Sequence, residues 1–164
     1  MKSALEQKLD KEIAFFLRQP RVKKLPFKVK ENVSYEEFLT DKMMIIAAIR
    51  AGVPYSLFTL IQDYTPFTEN DWADFLDIST KSLQRYKTAE DHRFKAIHSE
   101  KIIEMAEVTK VGLEVFGDME KLKLWFNTSN YALGSLKPIE LLKDSYGKEL
   151  VIGELTRINH GILV

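Results

Sequence analysis

The chain has 164 residues, 45% hydrophobic and 29% charged, which is enough length for a real core and an ordinary globular make-up. It has no cysteine, which excludes disulfides and thiolate metal sites and makes the cytoplasm the natural compartment. Its 24 basic and 24 acidic residues cancel, so no global positive field draws it to nucleic acid. No apolar run approaches the roughly 18 residues of a membrane span, so no membrane partner is expected. The opening MKSALEQKLDKEI carries acids inside its apolar pattern and does not read as a signal peptide.

The charges are unevenly placed. Residues 18–30 hold six bases (Arg18, Arg21, Lys23, Lys24, Lys28, Lys30) and no acid. Residues 31–78 hold nine acids against Lys42 and Arg50, and residues 79–98 turn basic again, five against Glu90 and Asp91. Such separation permits a local phosphate-facing patch in a neutral protein; solvated faces that happen to segregate explain it equally well.

Nearly every periodic segment is helical, and no strand pair stands out, so the expected fold class is all-α. Leu5, Leu9, Ile13 and Phe16 form a stripe at helical spacing that Pro20 stops. Residues 21–32, with Pro26 and alternating Val/Lys character, read as an extended linker. Ser34-x-x-Glu37 is a capping box for a short turn. Asp41 caps a helix with Met44, Ile45, Ala48 and Ile49 inward, ended by Gly52, and Pro54 suits the first position of the next helix, with Leu57, Phe58 and Ile61 inward. Thr65-Pro66 breaks that helix. Thr68-x-x-Asp71 and Ser79 each start a short helix, and Ser99 opens a longer one. Asp118, Pro138 and a break at Gly147 delimit the rest. The last helix turns Val151, Leu155 and Ile158 inward and ends at Gly161.

Residues 68–87, TENDWADFLDISTKSLQRYK, have the length and pattern of a helix-turn-helix. Ala73 allows close approach, Ile78 is the apolar residue of the turn, and Leu83 and Tyr86 face inward. Ser79, Thr80, Lys81, Gln84 and Arg85 fall on the opposite face. These are the residue types a recognition helix presents to base edges and phosphates, and they are the candidate DNA-binding residues. Two short helices on a tight turn also occur in any helical bundle. Asp77 stands at the turn position where Gly is usual; Asp visits the left-handed region only at some cost, and its charge does not attract phosphate.

Residues 99–164 read as a small helical module. Ile102, Ala106, Thr109, Leu113 and Phe116 make a narrow 4-3-4-3 seam, more often core packing than a dimer seam. Leu122, Trp125 and Phe126 are expected in the core, and Asn130 and Gly134 suit a loop with special backbone angles. His92, His98 and Glu100 lack the spacing of a metal site, and Glu104 and Glu107 read as a solvated face. No phosphate-cradling Gly loop or Ser/His/Asp arrangement is visible, so neither catalysis nor a cofactor is expected.

The landmarks of the C-terminal third come in one order: Phe116-Gly117-Asp118, a helix closing on Trp125, Asn130-Tyr131-Ala132-Leu133-Gly134, a helix led by Pro138, and a terminal Asn159-His160-Gly161. That order resembles the toxin-binding domain of the Xre/MbcA/ParS family of bacterial antitoxins. Upstream, His98-Ser99-Glu100-Lys101-Ile102 resembles the family's Glu-Ser-x-Arg-hydrophobic helix start, and Ile49-Arg50-Ala51-Gly52-Val53-Pro54 its Gly-hydrophobic-Pro segment. Ser79-Thr80-Lys81-Ser82-Leu83-Gln84-Arg85-Tyr86 keeps the Ser, the Leu and one Arg of the family's Ser-x-Arg-Thr-Leu-x-Arg-Arg. The resemblance spans residues 42–164. Lys81 and Tyr86 depart from its Arg positions, Ser129 from a Pro and Ser135 from a Gly.

The resemblance implies a helix-turn-helix DNA-binding bundle at 41–98 followed by a small toxin-binding module at 99–164; the N-terminal helix and basic linker at 1–40 lie outside it. It implies a type II antitoxin that neutralises a cognate toxin, in the best-fitting branch a RES-domain enzyme that degrades NAD, by covering its active site with the C-terminal segment. The residues assigned to that task are Arg157, Asn159, His160, Gly161, Ile162, Leu163 and Val164. It further implies binding to operator DNA with autoregulation, and a homodimer that forms a larger hetero-oligomer with toxin. A solitary helix-turn-helix regulator without a toxin is the alternative. Physically, a tail of Gly, three apolar residues and a free carboxylate has little to pack on; it either frays or awaits a concave partner.

Overall fold

The computed structural model describes residues 1–23, 32–89 and 91–161. Lys24, Pro26, Lys28, Lys30 and Glu31 of the proposed basic linker lie outside the described residues, as do Glu90 and the tail residues Ile162, Leu163 and Val164. The described residues form helices α1 (Ala4–Arg18), α2 (Pro20–Lys23), α3 (Tyr35–Thr40), α4 (Lys42–Ala51), α5 (Tyr55–Asp63), α6 (Glu69–Leu76), α7 (Thr80–Thr88), α8 (Ala96–Phe116), α9 (Met119–Phe126) and α10 (Ser145–Asn159). Two short 3₁₀ helices, Tyr131–Leu133 and Pro138–Leu141, separate the last two. Extended pairing among the described residues is confined to the isolated bridges Pro54–Arg93 and Asn130–Leu136. The fold class is all-α.

Two compact units result: residues 1–64 with 78–103, and residues 65–77 with 104–164. The division passes through the turn after α6 and through α8.

In the first unit α1 packs on α5, α2 and α3, while α4 packs on α2 and α3. Leu9, Ile13, Phe16 and Leu17 of α1 are buried, and Leu57, Phe58 and Ile61 form the buried face of α5. Ser3 and Glu6 make a reciprocal capping box at the start of α1. Polar ties join α1 to more distant chain: the Tyr35 backbone N–H donates to Asp10 at 2.8 Å, the Ser56 hydroxyl to Glu12 at 2.7 Å, and the Arg93 guanidinium to the Gln19 side-chain oxygen at 2.7 Å. Pro20, expected only to stop α1, also opens α2, whose Val22 is fully buried. Proline lacks the N–H that a helix's first turn leaves unpaired anyway, so it begins a helix as readily as it ends one.

Asp41 caps α4 as expected, accepting from the N–H groups of Met43 and Met44. The buried face of α4 is Met44, Ala47, Ala48 and Ala51, whereas Ile45 and Ile49 are only half-buried. Small residues are the ones that let α4 sit close to its neighbours. Gly52 ends it with φ 87°, and a Cβ there would lie 2.8 Å from the Phe94 carbonyl oxygen, so the position takes only glycine. Pro54 occupies the cap position of α5, one residue before the expected one.

Ser99 is not a helix start. Helix α8 begins at Ala96, and Ser99 lies inside it, fully buried. Its hydroxyl accepts from the Val53 N–H at 2.9 Å and donates to the Phe94 carbonyl at 3.2 Å. One side chain thus satisfies a buried donor and a buried acceptor that no ladder reaches.

In the second unit Phe67 meets Trp72, Phe75 and Phe126 with ring centroids 5.0–5.9 Å apart. Helix α10 packs on both 3₁₀ helices, and Pro138–Leu141 also packs on α9. On the part of α8 that belongs to this unit, Met105, Ala106, Val108, Thr109 and Gly112 are buried, and the outer seam residues Leu113 and Phe116 are half-buried; Ile102, the first seam residue, is fully buried in the other unit. Thr109 returns its hydroxyl to the Met105 carbonyl at 2.9 Å. Leu122 and Phe126 are fully buried as expected, but Trp125 is half-buried, in ring contact with Phe116 and Phe126.

Gly147 does not break the chain. It lies in the first turn of α10, where a Cβ would fall 1.7 Å from the Leu141 carbonyl oxygen. The glycine is there because the helix start and the preceding turn share that space. In the Asn130 loop, Gly134 (φ 71°) and Ser135 (φ 64°) are both left-handed, and the Asn130 side chain accepts from Ala132 N–H. Ser135 therefore holds a conformation that suits glycine.

Candidate functional site

Two outward-facing helix surfaces carry residues that the fold itself does not require, one on α7 and one on α10.

Thr68 and Asp71 form a reciprocal capping box that starts α6, and Asp77 ends it with φ 54° and ψ 46°. Asp77 does adopt the left-handed conformation of a turn glycine, its N–H donating back to the carbonyls of Ala73 and Asp74. Ser79 caps α7, accepting from the Ser82 N–H at 3.0 Å. Leu83 is the buried residue of α7, and Ser79, Lys81, Gln84 and Arg85 are exposed with Thr80 half-exposed. The five candidate DNA-facing residues therefore stand clear of the core, all at or after the helix start. The Arg85 guanidinium donates to the Ser82 hydroxyl at 3.0 Å, and the Ser79 hydroxyl lies 3.0 Å from that same oxygen. This chain folds the guanidinium back over the first turn, where the unpaired backbone N–H groups and the positive end of the helix dipole already favour an anion.

Tyr86 finds its partner beyond the helix: its ring lies flat on His92, centroids 3.7 Å apart and 9° from parallel. Phe94 abuts both rings edge-on. Burial, reinforced by His98, pushes the His92 pKa below its ordinary value, and its Nε2 is buried with no hydrogen-bond partner among the described residues. His92 and His98 thus belong to an aromatic cluster built around Phe94. Glu104 and Glu107, read as a solvated face, instead flank Lys148 of α10, at 3.9 and 3.0 Å. All three side chains are mostly covered, so the pairs help seat α10 on α8.

Helix α10 is capped by Asp144, which accepts from the Gly147 N–H. Val151 and Leu155 are fully buried, Ile158 is half-buried, and Gly161 ends the helix region with φ 71°. Arg157 is partly exposed and pairs with Glu154 at 3.2 Å. Asn159, His160 and Gly161 are exposed. The tail candidates up to Gly161 thus come together at one helix end.

The sequence reading missed three residues on the same helix. Tyr146 is 83% exposed, Leu150 is 59% exposed, and Gly153 is exposed with open space where a Cβ would stand. At about 100° per residue, Tyr146, Leu150, Gly153, Arg157 and His160 fall within an arc of about 80°, opposed to the Val151–Leu155 face. The available signal was two apolar residues one turn apart but out of phase with the buried stripe.

The α7 surface is therefore polar and partly basic, while that of α10 is apolar around Tyr146 and Leu150. The family model described as the antitoxin Xre-like helix-turn-helix domain matches residues 44–107, and the one described as the antitoxin Xre/MbcA/ParS C-terminal toxin-binding domain matches residues 112–161. The chain belongs to the Xre/MbcA/ParS family of antitoxins, with both of its domains present. Among solved structures it is similar to a chain of the M. tuberculosis MbcT–MbcA toxin–antitoxin complex, with a TM-score of 0.52 and 21% identity over 65% of this chain and 94% of that one. That likeness is one of fold. No curated protein matches the chain. No helix among the described residues is long and apolar enough to cross a membrane.

Proposed function

We propose that this antitoxin neutralises a cognate RES-domain, NAD-degrading toxin in the cytoplasm, and that Arg157, Asn159, His160 and residues 161–164 cover the toxin's active site. The observation that carries the reading is the end of α10. The toxin-binding match runs to residue 161, and there the helix leaves Asn159, His160 and Gly161 exposed beyond the last buried side chain, Leu155. A short segment free of core duties can enter a concave partner without unfolding its own module. Arg157 in the last turn, where a cation is favoured, adds a charged group beside that segment.

On the same reading α7 lies in the major groove of operator DNA and represses the antitoxin's own operon. Ser79, Thr80, Lys81, Gln84 and Arg85 then meet bases and phosphates. A homodimer would match a two-fold operator and combine with toxin into a larger assembly.

The deciding experiment uses the full chain, co-expressed with the protein of the adjacent reading frame. Wild type should restore growth and the cellular NAD level and should co-purify with that protein. Deleting residues 161–164 should abolish growth rescue while leaving the melting temperature unchanged. Full rescue by the truncated chain overturns the tail reading.

A further inference from the structure

Glycine is the costliest common residue in a helix interior after proline, because it loses the most backbone freedom on folding. A helix keeps one where something else needs the space. Gly112 and Gly147 meet that condition within this chain: their missing Cβ atoms would collide with the Leu122 side chain and the Leu141 backbone. Gly153 sits mid-way along α10, and beyond its own stretch of helix backbone nothing among the described residues lies within 4 Å of a Cβ there. Its flanks on the same arc are Leu150, three residues before, and Arg157, four after, with Tyr146 a further turn back. Two large apolar side chains held in water around a cleared notch form a surface that the fold of this module does not explain.

The surroundings repeat the theme. Of the nine large apolar side chains that stand exposed among the described residues, five (Leu124, Tyr131, Leu136, Tyr146, Leu150) fall within residues 112–161. The turn that carries Tyr131 packs on α10.

We propose that Tyr146, Leu150 and Gly153 are a second toxin-contacting element, a notched ridge on α10 that seats an apolar element of the toxin beside the active site which the tail enters. The inference rests on the proposed function. The toxin is the occupant because the ridge is continuous with the residues already given to it: Arg157 and His160 share its arc. A second copy of the chain seated over Gly153 would cover Arg157 one turn away and deny it to the toxin. The tail supplies the blocking group, and the ridge supplies area and register. Buried aromatic and apolar anchors dominate affinity at such interfaces.

Gly153→Ala gives the sharpest test, because its two effects have opposite signs. The substitution should raise the melting temperature by about 2–4 °C, since alanine is the better helix former, yet loosen the toxin complex about ten-fold by filling the notch. Gly153→Trp should leave the fold intact and loosen the complex by about a hundred-fold or more. Leu150→Ala and Tyr146→Ala should each weaken it about ten-fold. Affinities are read on the full chain against the co-purified protein of the adjacent reading frame, with circular dichroism and the oligomeric state of the free antitoxin as controls. Wild-type affinity in Gly153→Trp overturns the ridge, and the proposed function still stands if deletion of 161–164 then abolishes neutralisation. If the ridge variants convert the free antitoxin from dimer to monomer and spare toxin affinity, the face belongs to a second copy and the inference fails. If neither ridge nor tail variants change complex formation, both readings fall.

Discussion

The outward faces of α7 and α10 differ in chemistry more than in any geometric respect. Each lies opposite a buried stripe, and each has side chains that its own core does not use. The face of α7 is hydroxyls, an amide and two cations gathered about a helix start, while that of α10 is a tyrosine, a leucine and a bare glycine leading to a helix end. Water tolerates the first face fully and the second poorly. A polar face at a helix N-terminus suits a hydrated polyanion whose counterions it displaces. An apolar face with a notch suits a protein surface that expels water from it. The two faces thus differ in the class of partner that their solvation favours.

Each face has a seat, and removing the seat should show which partner depends on it. The largest expected effect is Gly147→Ala: the added methyl meets the Leu141 backbone, which cannot rotate away, so the start of α10 must shift. A loss of about 3 kcal/mol in unfolding free energy by denaturant titration is expected, with loss of toxin binding. Ser99→Ala tests the α7 side. It strips the buried Val53 N–H of its acceptor and loosens Phe94, whose ring abuts Tyr86 of α7. Calorimetry should register about 1–3 kcal/mol of destabilisation.

Arg85→Ala leaves both seats alone. Gel-shift affinity for operator DNA should fall by about 1–3 kcal/mol, with a shallower salt dependence and unchanged toxin neutralisation. Unaltered DNA affinity in this variant would remove α7's outer face from the DNA-binding surface. The smallest effect is Ser135→Gly, which relieves a non-glycine residue at φ 64° and should stabilise the chain by about 0.5–1 kcal/mol, with neither partner affected.

How much of this was legible in the sequence depends on how far each residue reaches. Helix starts set by a cap were readable, because Ser34, Asp41, Thr68, Ser79 and Asp118 each act on N–H groups two or three residues away. Ser99 looked like one more cap and is not, because its partner Val53 lies 46 residues off and no local pattern reveals that. Gly147 read as a break because a glycine needed for close approach and one needed for a turn are the same letter. On α4 the pattern favoured isoleucines where the packing chose alanines. The tail stood out by elimination, but the ridge on α10 did not, since its glycine gains meaning only once the space above it is seen to be open. Lys24, Lys28, Lys30 and the last three residues lie beyond what the structure describes, so their assigned roles rest on the sequence alone.

The ties that fasten α1 bear on how the protein can be cut. The family matches begin at residue 44, which invites a shortened fragment starting there. Such a fragment would leave Leu57, Phe58 and Ile61 of α5 without the helix that covers them, and Arg93 and Ser56 without Gln19 and Glu12. Whoever trims this antitoxin to its recognisable domains should expect a sticky, poorly soluble product. The unmatched first helix is the lid on the core of the unit that carries α7.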